Sequence, residues 1–515
     1  MKRIATLLLA AGMLLGAASG AAAVDFKVSG QWLVGFSVGE SDLVNKQRGP
    51  GEVKHLKDSN DQFSAAQRFR LKLEAVASES LSGALYFEIG TTTWGKADGY
   101  SGALGADQTN AIKLKNAYID WAAPDTALKF RMGLQGITMP NKAGGSAVLD
   151  SDVAGVTASY QFNDNVGLTA MWARPLNDNY SDGHNGAWQD SNGAWHADRD
   201  NYLDNMDLFG LLLPLRFDGF EATPWVMYGI KGKNSGNFDA YSNGGLGDGN
   251  PYYTLNPYPA SMSAVGKTGK AYGSMFWAGL PLAVTALDPF NIELDINYGY
   301  VEAMGRYDAH RLGLDKRAST ERQGWLAKAL IEYKMDWATP GIFGWYASGD
   351  DGDPKNGSER MPALVSYGNF TSFLGDGNNF GWTPNGAMLD YNVSYAGTWG
   401  IGARLKDMSF VEDLKHTLTI AYFGGTNAPK MAKYMSAAYD WNHGYPENYL
   451  TTNDGLLEVN LINSWQIYEN LELNLELGYV ANFVDNSTWK KAGERDTSFE
   501  KQDMWKAQLI FAYTF

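Results

Sequence analysis

From Asp25 onward the chain alternates. Phe26, Val28, Gly30, Trp32, Val34, Phe36 and Val38 hold the even positions, against Asp25, Lys27, Ser29, Gln31, Leu33, Gly35 and Ser37 at the odd ones. A period of two places each set on one face of an extended strand, one face apolar and the other mostly polar. The pattern returns at 290–300, where Phe290, Ile292, Leu294, Ile296, Tyr298 and Tyr300 oppose Asn291, Glu293, Asp295, Asn297 and Gly299. Related segments occupy 69–77, 81–93, 117–121, 128–134, 156–162, 168–172, 206–215, 220–231, 272–282, 325–333, 341–348, 391–406, 414–426, 457–466, 471–481 and 504–515, which makes 18 strands in all. Two of these, 206–215 and 341–348, alternate less cleanly, and 16 strands is the alternative count.

The connections alternate as well. Short links such as 78–80, 123–126, 163–165, Asp218-Gly219, 285–289 and 468–470 take turns with long polar ones such as 40–61, 174–205, 232–270, 349–390 and 425–455. An even strand number with tight turns on one edge and long loops on the other is the layout of a transmembrane antiparallel β-barrel, an all-β fold. A soluble sandwich or propeller also alternates, but it would not crowd rings towards the strand ends of its apolar face. Here Trp32, Phe36, Tyr298, Tyr300, Trp325, Tyr333, Tyr395, Trp399, Tyr479 and Trp505 do so, as a membrane-facing aromatic girdle requires.

The first residues fit that destination. Lys2 and Arg3 precede an apolar run from Ile4 to Leu15 and then Ala21-Ala22-Ala23, the pattern of a secretory signal peptide at 1–23, with the barrel domain at 24–515. With the first strand starting at Asp25, no separate N-terminal plug domain is expected. No apolar run is long enough for a membrane helix. The absence of cysteine excludes disulfides, thiolate metal sites and a cysteine nucleophile. A formal net charge of -15 argues against a nucleic-acid partner.

Five segments carry a resemblance: Val24–Trp32, Asn116-Ala117-Tyr118, Phe130–Gln135, Trp345–Asp351 and Phe511–Phe515. Together they resemble the homotrimeric outer-membrane porins of sulfate-reducing bacteria and, more distantly, the general and sugar-specific porins. The resemblance implies a trimer of barrels, each with its own pore, set among outer-membrane lipid and lipopolysaccharide. The carboxyl-terminal Phe515 is similar to the signal read by the barrel-assembly machinery. The resemblance also implies that the loop between the fifth and sixth strands, 136–151, with Lys142, Gly144, Gly145 and Asp150, folds inward and narrows the channel.

With the apolar face towards lipid, the other face is expected to line water. That face carries Arg68, Arg70 and Lys72 on the second strand, Lys129 and Arg131 on the fifth, and acids that include Glu88, Asp120, Glu293, Asp295, Glu332, Glu458, Glu472 and Glu476. A basic wall facing acidic loop residues would filter solutes by charge. The expectation is passive diffusion of small hydrophilic solutes and ions, with anions favoured at the basic wall and no cofactor. Asp350, Asp351 and Asp353 are a weak calcium candidate, since their spacing is not that of an EF-hand. The alternatives are a barrel enzyme, for which the six histidines offer no recognisable metal or nucleophile motif, and a loop-mediated adhesin or receptor.

Overall fold

The structure is a computed structural model that describes residues 24–40, 44–45, 62–95, 112–177, 187–189, 195–197, 205–232, 263–265, 270, 272–304, 306–311, 314–366, 368–370, 380–384, 395–434, 449–492, 500–501 and 503–515. The signal segment 1–23 and the loop residues His184, Asp182, Asp190, Asp198 and Asp200 lie outside them.

Each segment with a period of two becomes a strand of one sheet. These are β1 (Asp25–Glu40), β2 (Gln62–Ser78), β3 (Leu81–Thr93), β4 (Ile112–Ala122), β5 (Leu128–Thr138) and β6 (Asp150–Gln161). Next come β7 (Gly167–Asn177), β8 (Asn205–Leu212, continued by Leu215–Phe217), β9 (Phe220–Ala222, continued by Trp225–Gly232), β10 (Tyr272–Val284), β11 (Phe290–Val301) and β12 (Arg322–Tyr333). The ring is completed by β13 (Thr339–Ala347), β14 (Thr398–Val411), β15 (Leu414–Gly425), β16 (Gly455–Tyr468), β17 (Leu471–Asn482) and β18 (Met504–Thr514). The interruptions in β8 and β9 fall at Pro214 and Pro224, which have no N–H to give to a ladder.

Every strand pairs antiparallel with the next. The ring closes because β1 is paired on both sides, with β2 from Asp25↔Val76 to Gly39↔Gln62 and with β18 from Gln31↔Thr514 to Glu40↔Trp505. Closure gives an 18-stranded antiparallel barrel with no free edge, so the backbone's polar groups are satisfied between strands. Short pairings outside the wall, such as Val44–Asn45 with Glu500–Lys501, belong to the long connections.

The outward face is apolar and exposed: Phe26, Val28, Ile119, Phe209, Ile296, Ile342 and Ile401 are among its residues. Aromatic pairs collect at its two ends. Trp121–Phe130, Phe290–Tyr333 and Tyr513–Phe515 lie near the short turns, and Phe36–Trp94, Trp325–Tyr346 and Trp399–Tyr422 lie near the long loops. Phe290 and Tyr300 are ten residues apart on one strand, about 33 Å of chain, which a barrel tilt reduces to roughly the height of a hydrocarbon core. One member of the expected girdle is elsewhere. Tyr395 precedes β14, is turned into the barrel and is buried against Trp345 and Phe370, because Gly397 at φ +75 breaks the extended chain before Thr398.

The inward face also departs from expectation. Along β7–β15 much of it is an apolar core rather than a wetted wall. Met171, Met206, Leu208, Trp225, Met227, Met275, Trp277, Leu326, Leu330, Phe343, Trp345 and Phe423 form one buried cluster with Met139, Val148 and Leu149 of the β5–β6 connection and Met361, Leu364 and Phe370 of the β13–β14 connection. Large loops packed into the lumen cover these side chains, and each fully buried ring or branched chain contributes about 2–3 kcal/mol through lost water contact.

Candidate functional site

The β5–β6 connection, 139–149, leaves the long-loop edge of the barrel and runs against the inner faces of β9, β11 and β12. Those strands stand four to seven positions from β5 in an 18-strand ring, so the segment crosses the lumen as a chord. Pairs of inward side chains and loop backbone hold it there. Asp295 on β11 accepts the backbone N–H groups of Lys142, at 3.0 Å, and of Ala143. Trp225 Nε1 on β9 donates to the Pro140 carbonyl at 3.2 Å, and Lys328 Nζ on β12 donates to the Gly145 carbonyl. Lys142 extends its own Nζ to Glu221 on β9, 2.5 Å away. Gly144 and Gly145 adopt φ of +66 and +83, a conformation that suits glycine and makes the bend.

A second connection joins it. The β13–β14 loop is 348–397, and its Leu364 and Val365 N–H groups both donate to the Val148 carbonyl, while Val365 receives the Asp150 N–H at 2.8 Å. Phe370 stacks on Phe343 at 4.7 Å, with Tyr395 OH donating to the Gly144 carbonyl beside it. Further along, residues 380–384 reach the opposite wall. Arg68 on β2 donates to the Phe380 carbonyl at 3.3 Å and lies over the Trp382 ring, and Trp382 packs with Leu33, Ala66, Ile510 and Ala512. Spacing assigns 349–390 to the long connections, and the structure places Met361, Leu364, Phe370, Phe380 and Trp382 of it against the inner wall of the barrel.

The basic residues of the lumen are distributed differently from a bare cationic wall. Arg70 pairs with Glu88 at 2.6 Å, Lys72 with Glu74, Lys115 with Asp152 at 2.5 Å, and Arg131 with Asp120 through two bonds of 2.7 and 2.9 Å. The opposing acids therefore stand on the wall itself, on the same strand, the adjacent strand or, for Lys115 on β4 and Asp152 on β6, the next but one, and not in the loops. Arg131 also lies 4.1 Å from the Tyr118 ring. With Arg131 41% and Asp120 37% exposed, this pair borders open space. A recess of about 540 Å³ opens beside it, lined among others by Asp120, Lys129, Arg131, Thr157, Ser159 and Thr169. Lys142 and Asp150 sit in and at the end of the crossing segment, with Asp150 accepting from Thr138 Oγ1.

Asp350, Asp351 and Asp353 do not converge on a common point. Asp350 accepts from Ser358 Oγ, the Glu359 N–H and Tyr449 OH, Asp351 from the Asp353 N–H and Asn356, and Asp353 from the Lys355 N–H. Their lone pairs serve to shape their own loop. Burial raises the Asp350 carboxyl above the ordinary range, with Arg360 opposing that shift. Burial, with the charges of Asp350 and Asp351, raises Glu359 to about 7. Of the histidines, His416 on β15 is hydrogen-bonded to Asn463 at 2.6 Å.

No family model matches the sequence, and no curated protein does. Among solved structures, the chain is similar to Pseudomonas aeruginosa OccK9 (OpdG), with 13% identity, TM-score 0.48 and coverage of 95% of this chain and 98% of that one. Pseudomonas aeruginosa OpdQ gives 12% identity, TM-score 0.47 and the same coverage, 95% and 98%. Pseudomonas aeruginosa OpdK, solved with vanillate, gives 10% identity, TM-score 0.46 and again 95% and 98%.

Proposed function

We propose that this chain forms a channel in the bacterial outer membrane through which small hydrophilic solutes and ions diffuse down their gradients. One contrast carries the reading. The closed barrel presents an apolar surface with aromatic belts outward, while the inward face of β2–β6 keeps partly exposed ion pairs beside the two loops that cross the lumen. An apolar exterior of this extent needs hydrocarbon around it, and ionised side chains on the inner wall need water.

In this reading residues 1–23 are removed on export, and the segment 136–151 and the β13–β14 loop together set the width of the path. Arg70, Lys72 and Arg131 each pair with an acid on the wall, while Arg68 and Lys129 stand on the same face, so the lining of β2–β5 is net basic and favours small anions modestly. Phe515 closes the sheet through paired backbone bonds with Gly30, of 2.9 and 3.1 Å, and stacks on Phe69, which supports its use as the mark by which the barrel is assembled. Three copies of the barrel side by side, with lipopolysaccharide around the long loops, complete the proposed arrangement.

The test is swelling of liposomes that contain the folded protein, transferred into isosmotic sugars of increasing size. Swelling that is fast for the smallest sugar and falls steeply with size is expected. Swelling no faster than in protein-free liposomes would remove the channel reading and favour a loop-borne receptor or an enzyme.

A further inference from the structure

The recess beside Arg131 has an ordered lining. Register places two inward rows across it. Lys129 on β5, Ser159 on β6 and Thr169 on β7 stand side by side, and Asp120 on β4, Arg131 on β5 and Thr157 on β6 form the next row. Neighbours within a row are about 5 Å apart, and the rows are about 7 Å apart. The row beyond carries Gly133 opposite Gly155, and two facing glycines put no side chain on the wall there. Gln135 reaches over that hollow, because its Nε2 donates to the Gly155 carbonyl at 3.1 Å and to that of Arg131 at 3.3 Å. The recess, about 540 Å³, thus lies between the short turns and the start of the crossing segment, and its size is that of a small-molecule site.

Its polar lining is dense, but its charges cancel. Two acids, Asp120 and Glu79 of the β2–β3 turn, face two bases, Arg131 and Lys129. Arg131 and Asp120 are bonded to each other twice, yet both stay more than a third exposed, so each keeps N–H groups or lone pairs for a third molecule. The hydroxyls of Ser159 and Thr169 share one bond of 2.8 Å and retain capacity for others. The Thr157 hydroxyl and the Lys129 ammonium have no hydrogen-bond or ion-pair partner among the described residues. Towards the crossing segment the lining turns apolar, with Met139, Ile137 and Met171 at most 6% exposed.

Such a lining gives a simple ion little advantage. An ion attracted by one member of the Arg131–Asp120 pair is repelled by the other. Vicinal hydroxyls donate and accept at once, leave the pair closed, and turn their C–H faces to Met139 and Met171. We infer that this recess binds a neutral polyhydroxylated solute, a small sugar or a sugar alcohol, in transit. The inference rests on the channel reading for its purpose, but binding is measured without passage, so the two fail separately.

The experiment is saturation-transfer NMR on the full chain folded in deuterated detergent, titrated with glucose, sorbitol, hexanediol, butyrate and L-alanine. Glucose, sorbitol or both should give a signal that saturates, and the responder identifies the source. The diol, the anion and the zwitterion should bind more weakly by about 10-fold or more. Thr157→Val with Thr169→Val removes two hydroxyls at nearly constant volume and should weaken the polyol by about 10-fold. Asp120→Asn leaves Arg131 without its counter-charge and should bring butyrate level with the polyol or above it. No saturable polyol signal, a diol, butyrate or L-alanine held as tightly as the polyol by the parent, or affinities unchanged in both variants would overturn the site.

Discussion

Asp295 on β11 accepts the backbone N–H of Lys142 at 3.0 Å, across 153 residues of sequence. The contact fixes the crossing segment by its backbone, so its position does not depend on a flexible side chain. Lys328 stands behind it, 3.9 Å from the carboxylate and itself fully buried, and caps the Gly145 carbonyl. Loop and wall thus share one buried charge pair.

Asp295→Ala should therefore do two things. It frees the segment at 142–143 and leaves Lys328 buried without its counter-charge, a loss of about 3–5 kcal/mol for a pair of this kind. Single-channel recordings should show larger and noisier conductance than in the parent. Asp295→Asn keeps an acceptor and should lie between the two.

Gly144 is where the two lumen loops meet. A Cβ there would fall 2.5 Å from the Phe370 ring, on a backbone with φ +66. Gly144→Ala should cost about 1–2 kcal/mol locally from backbone conformation alone. It should also push Phe370 off Phe343. Limited proteolysis, with fragments identified by mass, should show faster cleavage between 361 and 370 in the variant.

The pair Arg131–Asp120 offers a reading of selectivity. Both partners are more than a third exposed, so breaking the pair should change stability by less than about 1 kcal/mol. It should change the local charge by a full unit. Under a salt gradient, Arg131→Gln should move the reversal potential towards cations, Asp120→Asn towards anions, and the double variant should return near the parent.

Glu359 supplies a dependence on pH. Its carboxyl is raised to about 7 by burial and by Asp350 and Asp351, with Arg360 and Arg322 close to Asp350 on the other side. A raised carboxyl favours the protonated folded form, so this contribution is fully present below the unfolded value near 4.5 and is lost as pH rises through about 7. Hydrogen exchange at the amides of Asp351 and Glu359 should accelerate, beyond its intrinsic increase, between pH 5 and pH 8, a window chosen from those two values. Glu359→Gln should flatten that excess.

The wall of the barrel was legible because a period of two and a parity of turns are properties of the chain itself. All 18 expected segments became strands, including β8 and β13, whose alternation was blurred. The blur had a physical cause. Inward Met206, Leu208, Phe343 and Trp345 are apolar because loops cover them, and periodicity assigns faces without showing what covers a face. Strands with two apolar sides were thus the available signal for a packed lumen. Tyr395 fits the alternation of β14 but lies beyond the bend at Gly397, which spacing does not show. The partners of Arg70 and Arg131 depend on register between strands, and the contacts of Asp295 and Trp382 link residues far apart in sequence, so neither set could be read from one strand.

The central claim is an open path through the ring, and planar-bilayer conductance of the purified, folded protein tests it most directly. The account predicts discrete ohmic steps, closing in three equal decrements if three barrels associate, with a reversal potential that shifts with Arg131 and Asp120. Folded protein whose mobility still changes on heating, yet which gives no conductance, would contradict it.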